Sequence, residues 1–517
     1  MFARTFRRFR NWVTLTPLRA GAAIVVAVAL VGSAGFGTHR WAAADRHRAQ
    51  LRAWQRQHCA VGILRFGPQC VGVTDGSFMF AGPQLSLVER AIRQQNNSVS
   101  GVPHATIAVL LPLTNSNPVT QDEILHEVQG AYAAQYRANH NNNVTPKIRL
   151  VLANPGVDSV HWRPVVRDLA SMTRAPGNLR AVFGISVSTE QTEAEVRDLT
   201  KAYGIPVVLG APTADDFGNS LTSPPAFPGL ARVSPNDHQE AGVLTRFARA
   251  DRQNSILVED DRAGDPPDDY ISSLTKAYRP DTSQAPFVFT SQPDESQTGF
   301  MTDTFNRDVP NICGTTDKYI YFAGRQVALR LFLNALADGC SQKFTVITGD
   351  AATHLAADSD LDAPDFTTGR ITLDFPAIAS PDAWTSASPR SFGGSPANFN
   401  ILTTILHAAA IGPVGSLEDG ETIINYDAGL TAATGIQVAS EYNIPAGRMP
   451  ALRQVRSIWP RLQVPGASGT ICLEDNGAPY DKAIDVMKFT GSKTPHFEQV
   501  KWPENSPPPS PRCNPPR

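Results

Sequence analysis

The sequence has almost no net charge: 46 lysines and arginines stand against 48 aspartates and glutamates, a formal balance of -2 over 517 residues. So even a balance offers no electrostatic footprint for nucleic acid, and no such partner is expected. The common chemical motifs are missing as well. There is no C-x-x-C pair, no H-E-x-x-H, no P-loop and no G-x-G-x-x-G, so neither a zinc site nor a glycine-rich phosphate cradle is expected, and no metal or cofactor is assigned. Cysteine is scarce, with six residues in all. None lies near the end of the first apolar run, which removes a lipid-anchored N-terminus.

What is present begins with Arg4, Arg7, Arg8, Arg10 and Arg19, with no acid among them, followed by an uncharged Ala-, Val- and Leu-rich run from Ala20 to Gly37. Arginines ahead of an apolar span predict a cytoplasmic segment 1–19, a transmembrane helix 20–37 in contact with the lipid bilayer, and an extracellular remainder. The span is barely long enough to cross a bilayer, so an uncleaved anchor and a cleaved signal that releases a secreted form both remain open. Cys59, Cys70, Cys313, Cys340, Cys472 and Cys513 all follow it, an even count that suits three disulfides in an oxidising compartment. Sequence proximity suggests Cys59 with Cys70, Cys313 with Cys340 and Cys472 with Cys513.

Residues 38–102 read as a juxtamembrane stalk and linker that closes on the polar stretch "RQQNNSVSG". From "HATIAVLLPLT" onward, short apolar runs alternate with stretches of helical length. Strands are predicted at Ile107–Leu111, Ile148–Leu152, Ala181–Phe183, Val207–Leu209, Ser255–Val258, Phe287–Phe289, Tyr319–Phe322 and Thr345–Ile347. Continuous apolar strands separated by helices predict an α/β protein with parallel sheets covered on both faces. A chain of this length splits into more than one core, so two doubly wound lobes are expected. The segments 103–234 with 371–455 are assigned to lobe 1, and 235–370 with 456–502 to lobe 2. A hairpin is expected about "EDNG" at 474–477, and residues 503–517 form a proline-rich tail.

Two strand ends carry the candidate site. "VFGISVSTEQTEAEV" turns at Gly184, presents Ser186, Ser188 and Thr189, and opens a helix; "YGIPVVLGAPT" ends on Gly210, Ala211 and Thr213. In a doubly wound sheet, ligands sit beyond the carboxyl ends of the strands. Hydroxyls and free amides at a helix N-terminus there suit a small anion or carboxylate. The same residues are also ordinary N-caps, and either corner alone fits that role; it is their succession that points to a binding crevice.

"IAVLLPLT", "EVQGAYAAQYRAN", "IRLVLANPG", "AVFGISVSTEQTEAEV", "YGIPVVLGAPTADDF", "LARVSPNDHQEAGVL", "SILVEDD", "NYDAGLTAA" and "GASGTICLEDNGAPYDKAIDVMKF" follow one another in an order that resembles the extracellular solute-binding proteins of branched-chain amino acid ABC transporters, over about three quarters of the chain. The resemblance implies the type I periplasmic-binding fold, two lobes joined by three hinge crossings, near Val233–Asn236, Asp365–Ile371 and Ala451–Ile458. It further implies that Ser186 or Ser188, with Ala211 and Thr213, holds a ligand carboxylate and that Asp350 receives an ammonium group. Arg325 stands where such proteins carry an aromatic; facing the crevice it would suit a more acidic or phosphorylated ligand, and otherwise it would cap a helix. The implied activity is non-enzymatic binding of a small polar, amino-acid-like solute beside a possible ABC permease, or sensing. A scaffold that keeps the fold but acts through protein contacts is the alternative.

Catalytic readings fail on detail. "GISVS" lacks the final glycine of a nucleophile elbow, and no histidine is spaced to serve Ser186. Asp358, Asp360 and Asp362 alternate as in a calcium loop, yet Ala363 and Gly369 replace its glycine and closing glutamate, so a solvated loop is expected. The acidic run "EDDRAGDPPDD" reads as an exposed loop, and His354 and His407 read as isolated.

Overall fold

The computed structural model describes residues 57–505, with residues 55 and 507, except for 56, 81–83, 116–117, 142–143, 222–223, 263–267, 293–296, 362–367, 386–392, 443–447, 461 and 491–493. The expected transmembrane run 20–37, Asp362 and Cys513 lie outside the described residues. Among the described residues no helix is long and apolar enough to cross a membrane.

The chain divides into two units, Met1–Pro68 and Gln69–Arg517. In the first, β1 (His58–Ala60) and β2 (Ile63–Phe66) pair antiparallel across Val61 and Gly62. The second unit carries two sheets. It begins with β3 (Gln69–Thr74), α1 (Ser86–Ser98), β4 (His104–Leu110), α2 (Pro118–Asn139), β5 (Lys147–Asn154), α3 (Trp162–Ser171), β6 (Leu179–Gly184), α4 (Glu190–Arg197), β7 (Val207–Leu209) and β8 (Leu230–Arg232). Their strands run in the order β3-β5-β4-β6-β7-β8, parallel from β5 to β8 with β3 antiparallel on β5.

The second sheet is built from α5 (Asp237–Ala248), β9 (Ser255–Asp260), α6 (Asp269–Tyr278), β10 (Phe287–Phe289), α7 (Gly299–Cys313), β11 (Tyr319–Ala323), α8 (Gln326–Gly339), β12 (Phe344–Ile347) and β13 (Ile371–Ala377). The chain then returns to the first lobe as α9 (Pro396–Ala408), α10 (Glu421–Glu441), α11 (Leu452–Arg456) and a hairpin of β14 (Gln463–Gly466) with β15 (Gly469–Cys472). It ends on the second sheet as β16 (Ile484–Phe489) and β17 (His496–Lys501). The strand order there is β10-β9-β11-β12-β13-β16-β17, with the last two antiparallel.

Both sheets therefore repeat one doubly wound order, second-first-third-fourth-fifth, and both reverse between their first and third parallel strands. Every strand expected from an apolar run is present. β4 is buried from Ala105 to Leu110 and β7 throughout, as a parallel sheet covered on two faces requires. Helix α10 crosses α2 at close quarters: a Cβ on Gly130 would lie 2.3 Å from the Thr422 carbonyl, and one on Gly429 2.8 Å from the Ala134 methyl. Glycine lets the two backbones approach, and α10 is buried on nearly all sides. In the second lobe Cys313 bonds to Cys340, joining the ends of α7 and α8 as proximity suggested. Cys59, Cys70 and Cys472 are also in disulfides.

Four expectations about boundaries need correction. Residues 69–80 and 84–98 are not linker: β3 pairs with β5, and the polar stretch before residue 99 is the end of α1, exposed at Arg93, Gln94 and Asn97 but buried at Asn96, beside the buried Val88 and Ile92. Asn96 explains why so polar a helix docks, since its amide donates to Leu150 O at 2.7 Å and accepts from Leu150 N at 2.9 Å. The first crossing does fall at Val233–Asn236, between β8 and α5. The second lies after Ala377 instead of at Asp365–Ile371, because β13 belongs to the second sheet. Pro376 disguised that strand; it sits past the parallel pairing with β12, which ends at Asp374, and faces only the antiparallel partner Val486. The third crossing lies between Cys472 and Ile484, not at Ala451–Ile458. The terminal hairpin turns at Ala467–Ser468, and the "EDNG" turn closes only the bridge Leu473–Pro479.

Candidate functional site

The two reversal points face each other across the gap between the lobes, and the first is built from strained backbone. Gly184 ends β6 at φ 98°, and Ile185 follows at φ 64°. A β-branched residue in the left-handed region costs about 1–3 kcal/mol and persists only where its surroundings enforce it. Here Ile185 N is tied to Leu110 O at 2.9 Å. The turn carries the chain to Ser186, whose hydroxyl oxygen is buried with no directed hydrogen bond, and to Ser188, which is 3% exposed. Thr189 does what the simpler reading assigned to it: its hydroxyl caps α4 by accepting from Thr192 N at 3.4 Å in a reciprocal capping box. It is a cap, not a contact into the gap.

The second corner adjoins the first. Gly210 N donates to Gly184 O at 3.2 Å, and Ala214 N donates to Ser188 Oγ at 3.4 Å. Ala211 and Thr213 are buried between them. Asp350 comes from the other lobe, just past β12, and Thr213 Oγ1 donates to its Oδ2 at 3.5 Å. The pair expected to hold opposite ends of a solute therefore meets directly in this closed arrangement. Ser188, Ala211, Thr213 and Asp350 thus lie together, while Ser186, on the same turn, is beside Glu127 of α2.

Arg325 also turns into the gap. Its Nη2 donates to Ser188 O of the other lobe at 3.2 Å, and it lies over the Tyr270 ring at 4.6 Å. It does not cap α8 with its side chain. Nor does its charge favour an acidic or phosphorylated ligand, because Asp268 grips the guanidinium with both oxygens at 2.9 Å and also pairs with Arg262 at 2.5 Å. Burial works to raise the Asp268 carboxyl, yet Arg325 and Arg262 hold it below the usual range. The acidic run read as an exposed loop thus supplies a buried counter-ion, a role that the run's polarity concealed.

A second tie crosses the gap. His354 Nδ1, after β12, meets Glu123 Oε1 of α2 at 3.0 Å. Burial would lower this imidazole, but the Glu123, Asp419 and Asp350 carboxylates push it up to about 9. Because that lies above the ordinary histidine value, its contribution to stability is full below about pH 6.5 and is lost as pH rises through about 9. We expect His354→Ala to lower the unfolding temperature at about pH 6.5 and to have almost no effect at about pH 10; equal effects at both values in a thermal scan would remove this histidine from the tie. Of the two histidines that read as isolated, His354 is a lobe-to-lobe partner, whereas His407 is exposed on α9.

Carboxylates dominate what surrounds the corners. Glu127 is pushed up to about 8 by burial, with the nearby Ser186 hydroxyl opposing. Glu421, Asp237 and Glu240 are raised well above ordinary values, also by burial first. Asp237, Glu240 and Asp350 place carboxylate oxygens within 4.8 Å of one another.

No family model and no curated protein matches this sequence. Among solved structures, the branched-chain amino acid transporter substrate-binding protein LivJ from Streptococcus pneumoniae, in complex with isoleucine, superposes with a TM-score of 0.56 at 13% identity, over 77% of this chain and 99% of that one. The leucine-binding protein LivK from Thermotoga maritima gives 0.52 at 16% identity, over 77% and 98%. A solute-binding protein of an ABC transporter from R. palustris, in complex with benzoate, gives 0.52 at 11% identity, over 77% and 96%. The chain has the type I periplasmic-binding fold.

Proposed function

We propose that the protein is a non-enzymatic, extracytoplasmic solute-binding protein that closes its two lobes on a small amino-acid-like molecule. One observation carries this reading: the Thr213 hydroxyl of one lobe and the Asp350 carboxylate of the other face each other at 3.5 Å beyond the carboxyl ends of both sheets. Parted slightly, they offer a hydroxyl for a carboxylate and an acid for an ammonium group, with Ser186 and Ser188 beside the first. The excess of carboxylates favours zwitterionic or cationic solutes over anionic ones. Residues 20–37 would anchor the protein to the cell membrane with the lobes outside, or direct its secretion, and an ABC permease is the partner that fits a tethered receptor; sensing fits equally.

The second reading, a ligand-free scaffold acting through protein contacts, draws on the same closeness, since Arg325 and Asp350 already bridge the lobes. Titration calorimetry of the full-length chain against neutral, basic and acidic amino acids and benzoates separates the two. Binding heat with a basic or neutral amino acid supports the receptor; no heat with any member at millimolar concentration supports the scaffold.

A further inference from the structure

Beside the gap, three carboxylates converge with most of their oxygens unpartnered. Asp237 and Glu240 stand three residues apart on the first turn of α5, so they share one helical face. Both are fully buried, and Asp350 completes the group from the segment after β12. Both oxygens of Asp237, both of Glu240 and Asp350 Oδ1 have no hydrogen-bond partner. The Thr213 and Ser273 hydroxyls lie near Asp237 without a directed bond. Tyr278 adds an independent sign: its fully buried hydroxyl is equally unpartnered and lies in the field of Glu240, Asp237 and Asp350.

Arg232 faces Asp237 and Glu240, and Arg325 and His354 face Asp350; yet Arg232 Nη1 donates to Thr213 O at 3.4 Å and Ala214 O at 2.9 Å, and none of the five oxygens accepts a hydrogen bond from any of these cations. A buried acceptor left unpaired costs about 1–3 kcal/mol, and more when charged. Five such oxygens in one place call for a shared partner.

We propose that Asp237, Glu240 and Asp350 form a binding site for a hard divalent cation, calcium or magnesium. The donor set is entirely carboxylate and hydroxyl oxygen, which selects these ions over zinc or copper. Donors within 4.8 Å of one another fit around one ion at the calcium–oxygen distance of about 2.3–2.6 Å. Thr213, whose hydroxyl lies 3.5 Å from Asp350 Oδ2, and water would supply the remaining positions. The ion would sit where the first crossing enters α5, against the corner that carries Thr213, and would hold that corner to the second lobe. Asp350 is shared with the proposed solute gap, so an ion and an ammonium group would compete for it, but Asp237 and Glu240 have no part in holding the solute and ion binding is read without it.

The test uses the full-length chain, stripped with chelator and kept free of amino acids. Equilibrium dialysis with calcium or magnesium chloride should give one ion per chain, with a rise in unfolding temperature that saturates with the ion. Asp237→Asn with Glu240→Gln should weaken binding at least about tenfold and abolish the rise. If that double variant fails to fold, terbium supplies the readout: wild-type protein should sensitise its emission through Tyr270 and Tyr278, and calcium should quench it by displacement. Absence of any bound ion at millimolar concentration, or undiminished binding in a folded double variant, overturns the site.

Discussion

Thr213→Ala combined with Ser188→Ala is expected to weaken solute binding by about 2–4 kcal/mol, or roughly 30- to 1000-fold in Kd. Each substitution removes a hydroxyl that would bond to a charged carboxylate in a buried gap, where a lost partner costs about 1.5–3 kcal/mol. The two residues sit on adjoining corners, linked by Ala214 N to Ser188 Oγ at 3.4 Å, so their effects should not simply add. Calorimetry on the double variant, with whichever solute gives heat on the wild type, makes the check. An affinity within about threefold of wild type would mean that these corners hold no ligand. Thr189→Ala is the internal control: it should lose only helix-cap stability, about 1 kcal/mol, and leave affinity unchanged.

The largest stability effect is expected at Asp427, which is buried in α10 and ties the crossing segments to the first lobe. Its Oδ1 accepts from Ala467 N at 2.7 Å, and its Oδ2 accepts from Ser468 N at 2.8 Å and Ser468 Oγ at 2.5 Å. Lys482, wholly buried in the third crossing, donates to Ser468 O and to Ser468 Oγ, the latter at 2.9 Å. Asp485 sits beyond Lys482 and takes the Ser380 N–H of the second crossing at 2.8 Å. A Cβ at position 466 would lie 2.4 Å from Asp427 Oδ2, so glycine is required where the hairpin meets the carboxylate. Asp427→Ala leaves the Ala467 and Ser468 amides and the Ser468 hydroxyl without their acceptor and removes one of the two carboxylates that face Lys482. Each buried donor left without its acceptor costs about 1–3 kcal/mol, so the loss is expected to reach about 3–5 kcal/mol, a large part of the roughly 5–15 kcal/mol that holds a native domain. Urea unfolding followed by circular dichroism should show that loss, with Asp427→Asn intermediate because it keeps acceptors. A change below about 1 kcal/mol would show that Lys482 is satisfied without this carboxylate.

The sequence carried the sheets well because parallel strands covered on both faces have to be apolar throughout, as in β4 and β7. The strand-end corners were legible for a related reason: Gly184 and Gly210 interrupt apolar runs at the point where the chain must turn. What stayed hidden was polar residues made useful by burial. The stretch before residue 99 looks like linker until α1 docks through Asn96; Asp268 sits in a run of acids and prolines that differs little from a solvated loop; His354 meets Glu123 only because α2 and the segment after β12 face each other across the gap. Asp237 and Glu240 read as an ordinary acidic first turn, and nothing local announces Asp350 beside them. Pro376 hid a strand by the rule that proline avoids central positions, which fails here because its amide side has no parallel partner.

The account rests on the gap between Thr213 and Asp350 as the place where solute sits. The most direct test is a crystal structure of the full-length protein grown with the amino acid that gives the strongest heat. The account predicts solute density with its carboxylate at Ser186, Ser188 and Thr213 and its ammonium at Asp350, the two side chains having moved apart to admit it. Density instead in the surface groove of about 250 Å³ beside Arg456 and Trp459, with Thr213 still bonded to Asp350, would contradict it.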